Sequence, residues 1–252
     1  MRTVQSDAVT RQAGRLGRLA VGLVVGLLGA LAATGGLGLA GWALGLSCGG
    51  LGGLWLVAAL VVSGRPRLGP ADVVTLVRAA LACGVAALVA DSFTRPAPTA
   101  TLVGLATTAL ALDCIDGRVA RRTRTVSSFG ARFDMEADAF LILVLSVHAT
   151  HRHGVWVLAI GLARYALLAA RTVVPWLRRP TPPRHWCKVV AAIQGIVLTF
   201  DATDALPPVL TTVLLLGALL LLAESFGREV VWLSRARHVA RTVDARTLSR
   251  AA

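Results

Sequence analysis

Two pairs of aspartates lie within residues 112–140, in a chain that is otherwise mostly apolar. Asp113 and Asp116 are three residues apart, and Asp134 and Asp138 are four apart, so each pair would share one face of a helix. Two antiparallel helices with a short connection would bring both pairs to one place. Four facing carboxylates repel one another. Because the segment holds no His, and its Cys114 has no second Cys at metal-ligand spacing, compensation of their charge by Mg²⁺ or Mn²⁺ is predicted.

The surroundings of these aspartates strengthen that prediction. Gly117, Ala120 and Gly130 carry almost no side chain, which permits close helix approach or leaves room for a ligand. Asp134 and Asp138 open an apolar helix that continues as AFLILVLSV, and an aspartate at the centre of a span costs about 2.5 to 3.5 kcal/mol. The alternative is an interfacial salt-bridge network with Arg118, Arg121, Arg122, Arg124 and Arg132.

The rest of the chain has the composition of a membrane protein. Hydrophobic residues make up 56% of its 252 residues and charged residues 15%, with a mean hydropathy of +0.70. Stretches long enough to cross a bilayer predict an all-α, polytopic membrane helical bundle. The predicted spans cover residues 19–36, 40–62, 71–90, 98–115, 130–149, 154–175, 187–203 and 207–226.

Basic residues collect in every second loop and predict the orientation. The formal net charge is +13. The protein is predicted to lie in the cell membrane, and the positive-inside rule puts both termini and the aspartate loop on its cytoplasmic side. A signal peptide over the first span is the alternative for the N-terminus. The chain carries no RNA- or DNA-binding motif, so no nucleic-acid partner is predicted. The histidines lack metal-ligand spacing and are interpreted as loop residues, and the cysteines indicate neither zinc nor disulfides.

The charged segment resembles a family signature. Read as DxxDGxxAR(x8)GxxxDxxxD, it is similar to the CDP-alcohol phosphatidyltransferases at all eight specified positions. The resemblance implies a six-helix catalytic membrane domain over residues 68–228. Residues 1–67 would form an extension with two transmembrane helices, and residues 229–252 a basic cytoplasmic tail. The implied reaction moves a phosphatidyl group from CDP-diacylglycerol to an alcohol and releases CMP.

Two shorter segments are similar to other motifs of that family. PADVVTLVRAAL, residues 70–81, resembles its first core helix, with Thr75 and Arg78 matching and Asp72 in place of the usual Asn. CKVVAAIQ, residues 187–194, is similar to a segment of the glycerophosphate-using branch. It keeps Lys188 and Gln194 but lacks the second Lys and the Thr of that segment.

The resemblance also implies roles for individual residues. Asp113 and Asp134 would bridge two metal ions, Asp116 would complete the first site and Asp138 the second. Asp138 would also act as the general base for the acceptor hydroxyl. Arg164 would hold a phosphate of the acceptor or pair with an aspartate, and with Lys188 it favours a phosphorylated polyol, such as glycerol 3-phosphate or inositol phosphate. The residues expected to contact substrate are Thr75, Arg78, Gly117, Ala120, Arg121, Ser127, Gly130, Arg164 and Lys188.

Other functions are kept as alternatives. An ion-coupled membrane transporter would place acidic residues near the midplane of several helices, whereas here they gather on one side. An isoprenyl-diphosphate transferase would carry a second Asp-rich motif elsewhere in the chain. A non-catalytic relative acting as a partner protein is disfavoured by the intact metal and base positions. Three alternatives stay open for the two N-terminal spans: they cover the core, form the contacts of a homodimer, or do neither.

Overall fold

The computed structural model describes residues 2–64, 68–96, 98–122, 127–174, 176 and 185–251, and their side chains except in 2–8, 116–122, 185 and 235–251. These residues form α-helices and 3-10 turns, among them Val155–Val157, and no strand occurs among them. The helices are α1 Arg2–Gly35, α2 Leu39–Val62, α3 Pro70–Ser92, α4 Thr99–Arg122, α5 Ser128–His153, α6 Leu158–Val173, α7 His185–Asp201 and α8 Pro208–Ala251. The predicted all-α polytopic bundle is confirmed.

Within the part of the chain that the structure describes, five segments are long and apolar enough to cross a membrane: Val9–Gly35, Leu39–Val62, Pro70–Ser92, Val155–Val173 and Pro208–Ser234. Helix α4 contributes a shorter apolar stretch, Thr99–Ile115. Helices α5 and α7 coincide with the two remaining predicted spans, and their crossing of the membrane stays a prediction. The basic tail is predicted to begin at residue 229, but α8 continues unbroken past this position. The domain limit therefore also stays a prediction.

Helix α3 is the central element of the bundle. It packs against α1, α2, α4 and α5, and 13 of its 23 residues are buried. Its middle, LACGVAALVA, is built of small residues that let neighbouring helices approach closely. A Cβ at Gly84 would lie 2.8 Å from Leu27 of α1. The helix that carries Thr75 and Arg78 is therefore held from several sides.

Helices α1 and α2 form a tightly packed antiparallel pair. Buried glycines recur at every fourth position of α2, and a Cβ at Gly45 or Gly49 would lie 2.8 Å from Leu28 or Val24 of α1. Close helix approach explains why this stretch is rich in glycine. Near the other end of the pair, Leu56 of α2 belongs to one apolar cluster with Phe129 and Phe133 of α5. The N-terminal pair thus covers both α3 and the start of α5.

An aspartate from the core fixes the start of α2. Asp91, near the end of α3, accepts hydrogen bonds of 2.7 Å each from the backbone N–H groups of Gly38 and Gly41. The first N–H groups of a helix have no partner within the helix, so this carboxylate supplies a cap from another element. Arg95 donates to the same carboxylate over 2.6 Å. The extension is therefore tied to the core by charge as well as by apolar packing.

Candidate functional site

Three of the four signature aspartates converge at the end of the bundle where α4 ends and α5 begins, called here the signature end. Carboxylate oxygens of Asp113 on α4 and of Asp134 and Asp138 on α5 lie within 4.8 Å of one another. The four-residue spacing on α5 turns Asp134 and Asp138 to one face. Their side chains are 36%, 21% and 28% exposed in the same order. The cluster is thus partly open rather than sealed in the core.

Arg78 of α3 is the cation of this cluster. Its Nη1 lies 2.6 Å from Asp134 Oδ1, and its Nη2 lies 3.0 Å from Asp113 Oδ1 and contacts Asp138 Oδ1. Its Nε donates to the backbone oxygen of Ala109 over 3.2 Å. Three carboxylates face one guanidinium, so negative charge exceeds positive charge here even when the ammonium of Lys188, 4.0 Å from Asp134 Oδ2, is included. The sequence motif marked Arg78 as a substrate contact and gave no sign of these ion pairs.

The donor set fits a hard divalent cation. All three groups that converge are carboxylates, which are the ligands that Mg²⁺ and Mn²⁺ prefer. Their surplus negative charge and partial exposure would let an ion reach them. Asp116 follows Asp113 by three residues on α4, but its side chain lies outside the described residues. The side chains of Gly117, Ala120 and Arg121 do as well, so their predicted roles remain predictions.

Gly130 is required by space at the start of α5. A Cβ there would lie 2.6 Å from Asp72 Oδ1 and 3.1 Å from Ser127 Oγ. Ser127 caps α5 by accepting a 2.9 Å hydrogen bond from the Gly130 N–H, and Asp72 accepts one of 2.8 Å from the Gly69 N–H at the start of α3. The structure therefore gives Ser127 and Gly130 a role in joining two helix starts. The tight contact with Asp72 was not anticipated from sequence.

The remaining candidates lie around the cluster at different depths. Thr75 is buried one turn before Arg78, with its hydroxyl 3.2 Å from the backbone oxygen of Ala71. Lys188 of α7 is 82% exposed, and its Nζ lies 4.0 Å from Asp134 Oδ2. The structure thus brings Lys188 beside the aspartates from a segment more than fifty residues away.

Arg164 of α6 pairs with a residue that sequence reasoning missed. Its Nη2 donates to Glu136 Oε1 over 2.6 Å, so its acidic partner is a glutamate and not the predicted aspartate. Glu136 lies two residues from Asp134 and two from Asp138, and in an α-helix a step of two residues puts a side chain on a different face from the i, i+4 pair. The Nε atom of Arg164 is buried and has no hydrogen-bond partner among the described residues. One donor of this side chain is therefore still unused.

A second polar cluster lies at the opposite end of α5. His153 Nε2 is 2.7 Å from Asp201 Oδ1, and His153 Nδ1 is 2.9 Å from the hydroxyl of Thr212. Arg152 pairs with Asp204 and lies 3.8 Å from Asp201 Oδ1. The interpretation of the histidines as loop residues is wrong, because all five lie in α5, α7 or α8. His153 ends α5 with its side chain enclosed between α7 and α8.

Fold and site together define a polytopic helical membrane protein with a carboxylate cluster at one end of its bundle. A sequence model of the CDP-alcohol phosphatidyltransferase family matches residues 69–237, and the chain belongs to this family. Its members transfer a phosphatidyl group from a CDP-alcohol to an alcohol acceptor and depend on divalent metal ions. No curated protein and no solved structure matches the chain. The family match begins at the start of α3 and leaves α1 and α2 outside.

Proposed function

We propose that this protein transfers a phosphatidyl group from CDP-diacylglycerol to a small alcohol and releases CMP at the signature end. The observation that carries the proposal is the convergence of three carboxylates from α4 and α5 on one partly open spot. Family membership supplies the reaction class. An apolar bundle with its charge gathered at one end also suits a substrate whose lipid and nucleotide halves enter from membrane and water.

The reaction requires divalent ions that neutralise the diphosphate and a base that activates the acceptor hydroxyl, both at one site. A diphosphate needs its charge neutralised, and divalent ions held by Asp113, Asp116, Asp134 and Asp138 supply that neutralisation when bound. Asp138 takes the proton of the acceptor hydroxyl. The acceptor oxygen then forms a bond to the phosphatidyl phosphorus, the bond to the bridging oxygen of the diphosphate breaks, and CMP leaves with that electron pair.

The substrate contacts follow from the surroundings of the cluster. The nucleotide half meets the end of α4, where Gly117 and Ala120 offer little bulk and Arg121 and Ser127 offer donors to phosphate. Across the site, Thr75 and Gly130 support the helix starts that carry Arg78 and Asp134. Gly130 contributes through its close packing against Asp72.

Arg164 and Lys188 bind a phosphate on the acceptor. Arg164 keeps a buried, unused Nε donor among the described residues, and Lys188 extends an exposed ammonium beside Asp134. A guanidinium and an ammonium both bind phosphate, and here they come from two different helices, α6 and α7. A phosphorylated polyol, such as glycerol 3-phosphate or inositol phosphate, is therefore the proposed acceptor.

The proposed location is the cell membrane, with the signature end on its cytoplasmic side. The arginine-rich loops that flank the spans support this orientation. It would give the site access to lipid from the inner leaflet and to water-soluble acceptor from the cytoplasm. A homodimer stays a prediction, which the mass of the protein in lipid nanodiscs would test.

A direct assay tests the function. Purified protein in nanodiscs would be incubated with CDP-diacylglycerol, Mg²⁺ and, one at a time, glycerol 3-phosphate, inositol phosphate, inositol, glycerol and serine. We expect CMP release that requires both Mg²⁺ and an acceptor, with a phosphorylated polyol found in the lipid product by mass spectrometry. Absence of CMP release with every acceptor, from protein that is folded, would reject the assignment. Turnover of an isoprenyl diphosphate instead would support that alternative.

A further inference from the structure

The surroundings of Arg78 call for a role beyond contact with substrate. Its side chain is 3% exposed and is already held by carboxylates of Asp113, Asp134 and Asp138. A guanidinium whose only role was to bind the diphosphate of the substrate would be expected to be accessible from the solvent. This one instead occupies the groups that are proposed to bind metal.

Electrostatic repulsion explains why a cation lies there. Carboxylates within 4.8 Å of one another in a partly buried site repel strongly unless a positive charge lies among them. Arg78 offers several N–H groups in a rigid, planar fork, which lets a single side chain contact carboxylates from α4 and α5 at once. The three helices can therefore keep their arrangement without an ion.

A divalent ion would need oxygen atoms of the same three carboxylates. Arg78 contacts Oδ1 of each of the three aspartates, so it occupies acceptor positions that would otherwise be ligands. Its positive charge also repels an incoming cation. Its Nε, by contrast, donates to the backbone oxygen of Ala109, a contact that involves no carboxylate. The side chain thus keeps an anchor on α4 that does not depend on the aspartates.

We infer that Arg78 is the counter-ion of the metal-free site: it holds the three aspartates together and yields carboxylate contacts when a divalent ion binds. The inference deepens the proposed function and rests on it for the identity of this cluster as the metal site. Two effects of opposite sign follow. Arg78 stabilises the protein without metal, and it weakens the binding of metal. A residue with a purely structural role would produce the first effect and not the second.

The test compares Arg78→Gln with the unaltered protein in nanodiscs, without any CDP-lipid. Melting temperatures are measured in chelator and in Mg²⁺, and the dissociation constant of Mn²⁺ is measured from the EPR signal of the free ion. In chelator we expect the melting temperature of Arg78→Gln to fall by about 5 °C or more. Mg²⁺ should restore much of this loss, and the Mn²⁺ dissociation constant should fall by about tenfold.

Two further variants control the result. Arg171→Gln removes a guanidinium that pairs with Glu229 over 2.7 Å between α6 and α8, and should leave Mn²⁺ binding unchanged. Arg78→Lys keeps the charge but loses the fork, and should tighten Mn²⁺ binding by about threefold. If Arg78→Gln does not fold, Arg78→Lys carries the test.

Mn²⁺ binding that is equal or weaker in the Arg78 variants overturns the inference, even if the unaltered enzyme releases CMP. A failure of the proposed function has a different signature. In that case the unaltered protein releases no CMP, while Mn²⁺ still binds and Arg78→Gln still binds it more tightly.

Discussion

The two ends of α5 both hold acids and bases close together, but they are built in opposite ways. At the signature end Asp113, Asp134 and Asp138 share the single guanidinium of Arg78, and their side chains remain 21% to 36% exposed. At the opposite end Asp201 and His153 are each 1% exposed and satisfy one another. Surplus charge that stays accessible indicates a ligand site, whereas polar groups that are enclosed and satisfy one another indicate a structural contact.

The largest effect is expected from Asp138→Asn at the signature end. The amide keeps the shape of the side chain but cannot accept the proton of the acceptor hydroxyl, so CMP release should fall by about 10² to 10⁴-fold. The melting temperature should change little in comparison. Asp204→Asn, which alters an ion pair with Arg152 at the opposite end, is the matched control and should retain activity. Activity of Asp138→Asn close to that of this control would exclude Asp138 as the base.

At the opposite end, Asp201→Ala should have the reverse effect, a loss of stability without a loss of activity. It leaves His153 and Arg152 without their enclosed carboxylate and should lower the free energy of unfolding by about 3 to 5 kcal/mol. CMP release per folded molecule should be unchanged at a temperature where the variant is folded. Asp204→Asn provides the comparison, because the Asp204 side chain is 60% exposed and its substitution by Asn, which also tolerates the left-handed backbone there, should cost only about 1 kcal/mol or less. Loss of turnover in folded Asp201→Ala would mean that the two ends are coupled.

At the signature end, local sequence patterns predicted the helices and their aspartates more completely than the side chains that pack against them. The apolar spans and the shared face of Asp134 and Asp138 follow from helical periodicity, which is a property of neighbouring residues. That Arg78 would lie among the aspartates depends on the register of α3 against α4 and α5. No local pattern encodes that register. Glu136 was missed because the family signature skips its position.

The opposite end shows the same limit more strongly. His153 and Asp201 are 48 residues apart in the chain, and both lie at helix ends that sequence alone suggests are exposed. Their pairing arises only when α5, α7 and α8 pack. The contact between Asp72 and Gly130 is of the same kind, since the glycine was recognised but the side chain that requires it was not.

Glycines at the two ends of α5 sharpen the comparison further. Gly130→Ala should push Asp72 or the start of α5 out of place, because the new Cβ would lie 2.6 Å from Asp72 Oδ1. The Asp72 carboxylate is itself held by a hydrogen bond from the Gly69 N–H. A displaced Asp134 should lower CMP release by about tenfold. Adding Asp72→Ala should restore most of that loss, and failure of this rescue would reject the steric explanation.

Gly154, just after α5, is the matched control for that experiment. Its φ of +86° and ψ of +174° lie in a region that is almost restricted to glycine. Gly154→Ala should therefore lower the free energy of unfolding by about 1 to 3 kcal/mol, with activity per folded molecule unchanged. A loss of activity as large as that of Gly130→Ala would remove the distinction between the two ends.

The smallest effect is expected from Lys188→Gln, which tests how far the site extends beyond the aspartates. An ammonium that is 82% exposed and 4.0 Å from Asp134 contributes little to folding, so the melting temperature should not change. If Lys188 binds the acceptor phosphate, the KM for a phosphorylated acceptor should rise about 3- to 10-fold while the KM for CDP-diacylglycerol stays constant. Arg152→Gln, at the opposite end, should change neither constant. A rise in the KM for CDP-diacylglycerol instead would place Lys188 on the diphosphate, and unchanged constants would restrict the acceptor site to Arg164.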